Sequence, residues 1–212
     1  MIILFASQKG GSGKSTLAIN AAAYLACQGK DVVLVDADKQ PSSSRFVADR
    51  NENPDLPVIH SVAKRQNIRK TLLDLKERYD YVIVDVAGHD SPEMRTGMTG
   101  ADMLVVPFIP SNMDLDTIDD MNTVINEAKD FNPDLKVVAV LNKVPSNPSI
   151  REEQEARDYL KDYPDLPVCR SIIRHRKVYR DILPYGLGAV ESKNSKAKAE
   201  VQLLMQEILS WS

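Results

Sequence analysis

Cysteine is nearly absent from this chain. Its two thiols, Cys27 and Cys169, lie far apart and outside any CxxC or Cys/His cluster. That pattern argues against a zinc ribbon and a disulfide framework, and leaves two buried thiols in a reducing cytoplasm as the expectation. Long apolar runs are missing too, and none approaches the roughly 20 residues of a membrane span. No signal peptide stands at the start, where the chain runs straight into a strand-like segment. There is no excess of positive charge: 27 Lys and Arg face 30 Asp and Glu, for a net charge of −3. The chain is therefore not a uniformly basic nucleic-acid coat, and any such contact has to come from a local patch. Repeats, low-complexity stretches and linkers are absent. With 43% apolar residues in 212, one domain over 1–212 with a full core is expected.

What is present is an alternation of short apolar runs and helical patterns. The runs are Ile2–Ala6, Val32–Val35, Pro57–Ile59, Tyr81–Val86, Met103–Phe108, Val137–Leu141 and Val168–Ile173. Several are rich in Val and Ile without alternation, as strands covered on both faces should be. A helix is expected from Leu17 to Gln28, stopped by Gly29. Further helical faces are marked by Ile68, Leu72, Leu75 and Tyr79, by Leu115, Ile118, Met121, Ile125 and Ala128, and by Val201, Leu204, Met205, Ile208 and Trp211. This order predicts an α/β fold: a doubly wound, mostly parallel twisted sheet with helices on both faces. Ligands of such sheets bind at the carboxyl ends of the strands.

The segment after the first run reads Lys9-Gly10-Gly11-Ser12-Gly13-Lys14-Ser15-Thr16. It is a phosphate loop in altered form, ending in Gly-Lys-Ser but carrying Gln8 where the pattern begins with Gly. Gly10, Gly11 and Gly13 let the backbone approach an anion closely. Their N–H groups, with that of Ser12, would form a nest at a helix N-terminus. Lys14 would reach the β- and γ-phosphates, the Ser15 hydroxyl would hold Mg²⁺, and Thr16 would touch the α-phosphate. One such loop needs one lysine, so Lys9 asks for a separate role.

Two strands end in aspartates, as Val35-Asp36-Ala37-Asp38 and as Val84-Asp85-Val86-Ala87-Gly88. Asp85 is placed to hold Mg²⁺ through a coordinated water. Asp36 would support the metal and Asp38 would orient the attacking water. The Gly88 N–H would meet the γ-phosphate and sense its loss. A third strand ends in Asn142, whose amide suits an adenine edge, with Pro184 and Tyr185 lining the other side of the base.

These residues resemble the ParA/MinD family of ATPases. The Lys9/Lys14 loop looks like its deviant Walker A motif. Asp36-Ala37-Asp38-Lys39-Gln40-Pro41-Ser42 is similar to D-x-D-P-Q-x-S, with Lys39 in place of the usual proline. Ser111-Asn112-Met113-Asp114 resembles its P-x-x-x-D segment, and Ile182 to Gly186 followed by Glu191 its C-terminal loop. The resemblance implies ATP and ADP with Mg²⁺ as cofactors and slow, partner-stimulated hydrolysis. It implies an ATP-dependent homodimer in which Lys9 reaches the partner's phosphates, with higher assemblies in some relatives. Because the loop begins at once, no N-terminal helix-turn-helix domain is expected. The chain looks like the small plasmid-partition ParA class of the ParF kind, nucleoid-associated and working with a ParB-like or ParG-like adaptor.

Residues 170–180 carry Arg170, Arg174, Arg176, Lys177 and Arg180 with no acid among them, and Lys193, Lys196 and Lys198 follow. Both clusters are candidates for non-specific DNA backbone contacts, strengthened by avidity in a dimer. A MinD-like, membrane-associated regulator is the alternative. It would need a basic amphipathic C-terminal helix, whereas the segment Ala199–Trp211 carries Glu200 and Glu207 and no Lys or Arg, so no membrane contact is expected. A metal-cluster carrier would need interface cysteines, and a small-molecule kinase would leave Lys9 unexplained.

Overall fold

The computed structural model describes residues 1–110, 117–147 and 151–211. The Val- and Ile-rich runs form a six-stranded, all-parallel sheet of β1 (Ile2–Phe5), β2 (Val32–Ala37), β3 (His60–Ala63), β4 (Tyr81–Val86), β5 (Met103–Phe108) and β6 (Lys136–Leu141). Their spatial order is β3-β2-β4-β1-β5-β6. With β1 central, the chain first builds one half of the sheet and then crosses to the other. That reversal puts the loop after β1 at the topological switch point, where a crevice opens.

Both faces are covered, which explains strands without polar alternation. Ile2 and Leu4 pack with the helices α3 (Arg69–Lys76), α4 (Pro92–Met98), α5 (Ile118–Phe131) and α6 (Glu152–Leu160). Ile3 and Phe5 pack on the other side with α1 (Lys14–Cys27), α2 (Ser42–Asn51) and, after the short α7 (Val178–Asp181), the long α8 (Ser195–Ser210). All four of these strand residues are completely buried.

Three sequence expectations shift. Of the two thiols expected to be buried, Cys169 is buried but Cys27, at the end of α1, is exposed. The run Pro57–Ile59 is not itself a strand, which begins at His60 instead, with Ile59 buried just ahead of it. Val168–Ile173 does not become a seventh strand. It runs beside β6 and makes only isolated parallel bridges, Ala139 to Val168 and Val144 to Arg174. Cys169 and Ile173 still donate to the β6 carbonyls of Ala139 and Leu141 at 2.8 and 3.0 Å, but between them the Arg170 and Ser171 N–H groups turn to the Glu207 carboxylate at 2.6 and 2.8 Å, so α8 interrupts the ladder. α2, α4, α6 and α7 carried no clear apolar stripe in sequence. α4 is defined by its start, where Ser91 caps the Met94 N–H at 3.1 Å and Pro92 follows. The helix of Leu17 to Gln28 is found within a few residues and passes into Gly29 at φ 71°. Leu115 and the segment 111–114 lie outside the described residues.

Candidate active site

The loop 9–16 leaves the end of β1 and enters α1 with no side-chain cap. Gly13 instead takes φ 96°, and Gly11 φ 81°, a conformation open to glycine at little cost. Ser12 and Lys14 are buried. The Ser12 hydroxyl sits 2.7 Å from that of Ser7, which in turn donates to the Lys9 carbonyl at 3.0 Å. Lys14 donates to the same carbonyl at 3.3 Å. Burial pulls the Lys14 amine below its ordinary value, while Asp85 and Asp38 push it back up and Lys143 adds to the lowering. An amine so placed suits an anionic ligand.

Two carboxylates stand beside it. Asp36 and Asp85 are register partners on adjacent strands β2 and β4, both completely buried. Their environments differ. Asp36 accepts the N–H groups of Ser44 (2.9 Å) and Asp38 (3.2 Å) and has the Arg65 guanidinium at 3.9 Å. Asp85 accepts the Ser43 hydroxyl at 2.5 Å on one oxygen, while its other oxygen is buried with no hydrogen-bond partner. Burial pushes the Asp85 carboxyl up to about 6; the Ser43 hydrogen bond and the nearby Ser15 hydroxyl oppose this, Asp36 adds to it and Lys14 opposes it. A buried carboxylate oxygen without a donor, next to Ser15 and Lys14, suits a hydrated divalent cation, which takes oxygen ligands and waters. Ser15 and Asp85 would hold magnesium there, with Asp36 bracing the strand ends behind them. Asp38 is half-buried at the start of the turn into α2, with its carboxylate on the Gln40 N–H at 3.0 Å.

Gly88 lies against the loop. A Cβ there would sit 2.6 Å from the Lys14 amine and 2.7 Å from both the Gly10 Cα and the Lys9 carbonyl oxygen. Lys9, Lys14, Asp36, Asp38, Asp85 and Gly88 thus gather at the carboxyl ends of three neighbouring strands. Asn142 arrives from β6, and its side-chain amide is committed to the Ser12 carbonyl at 2.7 Å, while its oxygen takes the Lys143 N–H. That contact ties the end of β6 to the loop.

Sequence reasoning passed over two side chains. Lys143, held at φ 54°, donates its amine to the Gly11 carbonyl. It sits one residue past Asn142, at the same strand end that drew attention to that residue. Ser43 offered no signal, since only the pairing of β2 with β4 brings it to Asp85.

Two clefts of about 460 and 470 Å³ flank Thr16 and Leu183. One is bordered by Ser15, Ser42, Phe46 and Pro184. The other is bordered by Asn142 and Lys143 and also by Arg174, Arg176, Lys177 and Arg180. All of the first basic cluster except Arg170 therefore lies along a cleft beside the phosphate loop. It is also less free than its sequence suggests. Arg176 is paired with Glu200 at 2.6 Å, Arg174 donates to the Pro145 carbonyl at 2.8 Å, and Lys177 meets Asp181 at 3.2 Å. The acids come from α8 and from just past the cluster, outside the window that read as acid-free. Arg170 is exposed, as are Lys193, Lys196 and Lys198 at the start of α8. Tyr179 donates to Glu200 at 2.9 Å, which stitches the two basic clusters together. Among the described residues, no helix is long and apolar enough to cross a membrane.

Residues 3–183 match the family model described as the CobQ/CobB/MinD/ParA nucleotide binding domain. The maintenance of carboxysome distribution protein A of Halothiobacillus neapolitanus is 28% identical over 96% of this chain and 94% of its own length. Two solved structures share the fold. Apo McdA of Cyanothece superposes with a TM-score of 0.80 at 14% identity, covering 98% of this chain and 99% of that one. A plasmid partition protein of Borrelia burgdorferi, bound to AMPPNP, superposes at 0.76 and 18% identity, covering 99% and 98%.

Proposed function

The chain belongs to the CobQ/CobB/MinD/ParA nucleotide-binding family as a ParA/MinD-type ATPase, and on that premise we propose that it is an ATP-driven switch that positions or segregates plasmid, chromosomal or other cargo on DNA. In this reading ATP, with magnesium, closes two copies face to face, the dimer holds DNA without reading its sequence, and an adaptor stimulates slow hydrolysis that releases both. The observation that carries it is the convergence of Lys9, Lys14 and the Asp36–Asp85 register pair at one switch point.

Each residue has a task that its surroundings support. The loop N–H groups and Lys14 bind and orient the β- and γ-phosphoryl oxygens, where charge grows during transfer. Ser15 and Asp85 hold magnesium, which when bound neutralises phosphate charge. Asp38 orients the attacking water. The Gly88 N–H reports on the γ-phosphate, helped by its packing against the loop backbone. Thr16 contacts the α-phosphate. Pro184 borders the base, with Asn142 holding the loop from the far side. Lys9 offsets the repulsion between two triphosphates brought close in the dimer.

DNA fits the surface better than a membrane does. The last helix buries Val201, Leu204, Met205 and Ile208 in the core and commits Glu200 and Glu207 to the returning segment, so its apolar stripe is a core face. The exposed Arg170, Lys193, Lys196 and Lys198 supply phosphate-binding charge. Cosedimentation with DNA or with anionic liposomes, in ATP, ADP and no nucleotide, tests the proposal. Retention on DNA only with ATP, weakening as salt rises, is expected. Retention on liposomes instead would overturn it.

A further inference from the structure

The helix α2 carries two completely buried polar side chains, Ser43 and Arg50, seven residues apart. Seven residues are about two turns, so both lie on one face, separated by about 10 Å along the axis. At the first turn, Ser43 donates to Asp85 at 2.5 Å. At the last turn, Arg50 turns both terminal nitrogens of its guanidinium to the chain's C-terminal third. It donates to the Gly186 carbonyl at 2.9 Å and to both Glu191 oxygens at 2.8 and 2.7 Å, and also to the Pro57 carbonyl at 2.9 Å.

The far end is fitted tightly. Gly186 has φ 66°, and a Cβ on it would lie 2.3 Å from the Arg50 Cα. Glu191 also accepts the Gly188 N–H at 2.8 Å and the Cys27 thiol at 3.2 Å. The loop gripped in this way begins with Leu183 and Pro184, which border the cleft beside Ser15 and Thr16. One end of α2 is therefore fastened to the carboxylate at the phosphate end, and the other to the loop that closes the opposite end of the same cleft.

We propose that α2 is a rigid strut joining the two ends of the nucleotide site, with Ser43 and the Arg50–Glu191 pair as its positioning residues. The strut rests on the nucleotide site described above. A shift at either end has to move the helix as a body, because a bidentate buried ion pair and a short hydrogen bond each have one good geometry. Binding at the phosphate end would then set the Leu183–Glu191 loop, and that loop's position would set the Ser43 hydrogen bond to Asp85.

A double-mutant cycle on ADP affinity, read by calorimetry in magnesium, tests this. Ser43→Ala and Glu191→Gln act at sites where independent effects would add. Each alone is expected to weaken ADP about tenfold, and the two together also about tenfold rather than a hundredfold. Ser43→Thr, which keeps the hydroxyl, is expected to restore the parent affinity. Additive losses, or singles that bind as the parent does, would overturn the strut. Should Glu191→Gln not fold, Ser43→Ala alone decides by hydrogen exchange. In the parent, ADP is expected to slow exchange across 186–191, which border neither cleft; at saturating ADP the variant is expected to lose that slowing. Slowing retained in the variant, or absent in the parent with ADP bound, also overturns it. Failure of the parent to bind ADP at all would bring down the site itself, an outcome distinct from failure of the strut.

Discussion

The Asn142 side-chain amide donates to the Ser12 carbonyl at 2.7 Å, joining residues 130 positions apart. A Cβ on the intervening glycine, Gly13, would lie 2.2 Å from that same amide nitrogen, and the φ of Gly13 is 96°. Gly13 is therefore required twice, once for its backbone and once for space. Gly13→Ala is expected to destabilise the protein by about 2–4 kcal/mol, combining backbone strain with overpacking. On an Asn142→Ala background, where that amide is gone, the further Gly13→Ala change should cost only the backbone part, about 1–2 kcal/mol. Urea unfolding of these variants checks this; an unaffected Gly13→Ala variant would refute the contact.

Gly88 is limited by space alone. The groups that would meet its Cβ include the backbone of Gly10 and Lys9, which cannot swing aside as a side chain does. Gly88→Ala is expected to displace the loop, cost about 1–3 kcal/mol and weaken ADP by at least about tenfold. Calorimetry alongside urea unfolding separates the two effects.

Asp85 gives a pH dependence with a definite sign. Its folded value of about 6 lies above the ordinary 3.8 because burial disfavours the charged form. Between about pH 4 and 6 the folded state binds more protons at this group than the unfolded state does. Its contribution to stability therefore falls as pH rises through that window. The cost of ionising it is on the order of 3 kcal/mol. In protein free of nucleotide and magnesium, Asp85→Asn should be more stable than the parent at pH 8, by up to that amount, and nearly equal at pH 4. The same variant should lose the magnesium-dependent part of ADP binding. A stability difference independent of pH would contradict the assignment.

The two lysines of the loop should separate in their effects. Lys14→Ala is expected to lose ADP and ATP binding by about a hundredfold or more, since the proposed phosphate cradle includes this buried amine. Lys9→Ala should bind nucleotide nearly as the parent does and lose ATP-driven dimerisation. Light scattering with ATP and with ADP reads the second effect, and normal dimerisation of Lys9→Ala would remove its assigned role.

The basic clusters should contribute unequally to DNA retention. Arg176 is already paired with Glu200, so Arg176→Ala should change retention less than the triple variant Lys193→Ala, Lys196→Ala, Lys198→Ala. Losing three phosphate contacts in each protomer should lower the slope of log affinity against log salt by about 3 per protomer. Filter binding over a salt series measures it, and an unchanged slope would take these lysines out of the interface.

Local pattern carried much of this protein. Uninterrupted Val and Ile runs declared a sheet covered on both sides, and Gly-Gly-Ser-Gly-Lys between a strand and a helix declared a phosphate loop. Asp36 and Asp85 stood out because strand ends are where such sheets bind ligands. These features depend on backbone conformation and burial within a few residues, so they can be read along the chain. Pairings across the chain could not. The acid-free window at 170–180 meets Glu200 only after α8 folds back, and a candidate strand at 168–173 has its ladder interrupted by Glu207. Asn142 turns to the loop because β6 ends beside it, and Ser43 finds Asp85 because β2 and β4 are neighbours. Sequence by itself determined which chemistry is present and on which elements it rides. The tertiary structure alone decided which donor meets which acceptor, because strand order and helix docking bring together groups that no local periodicity relates.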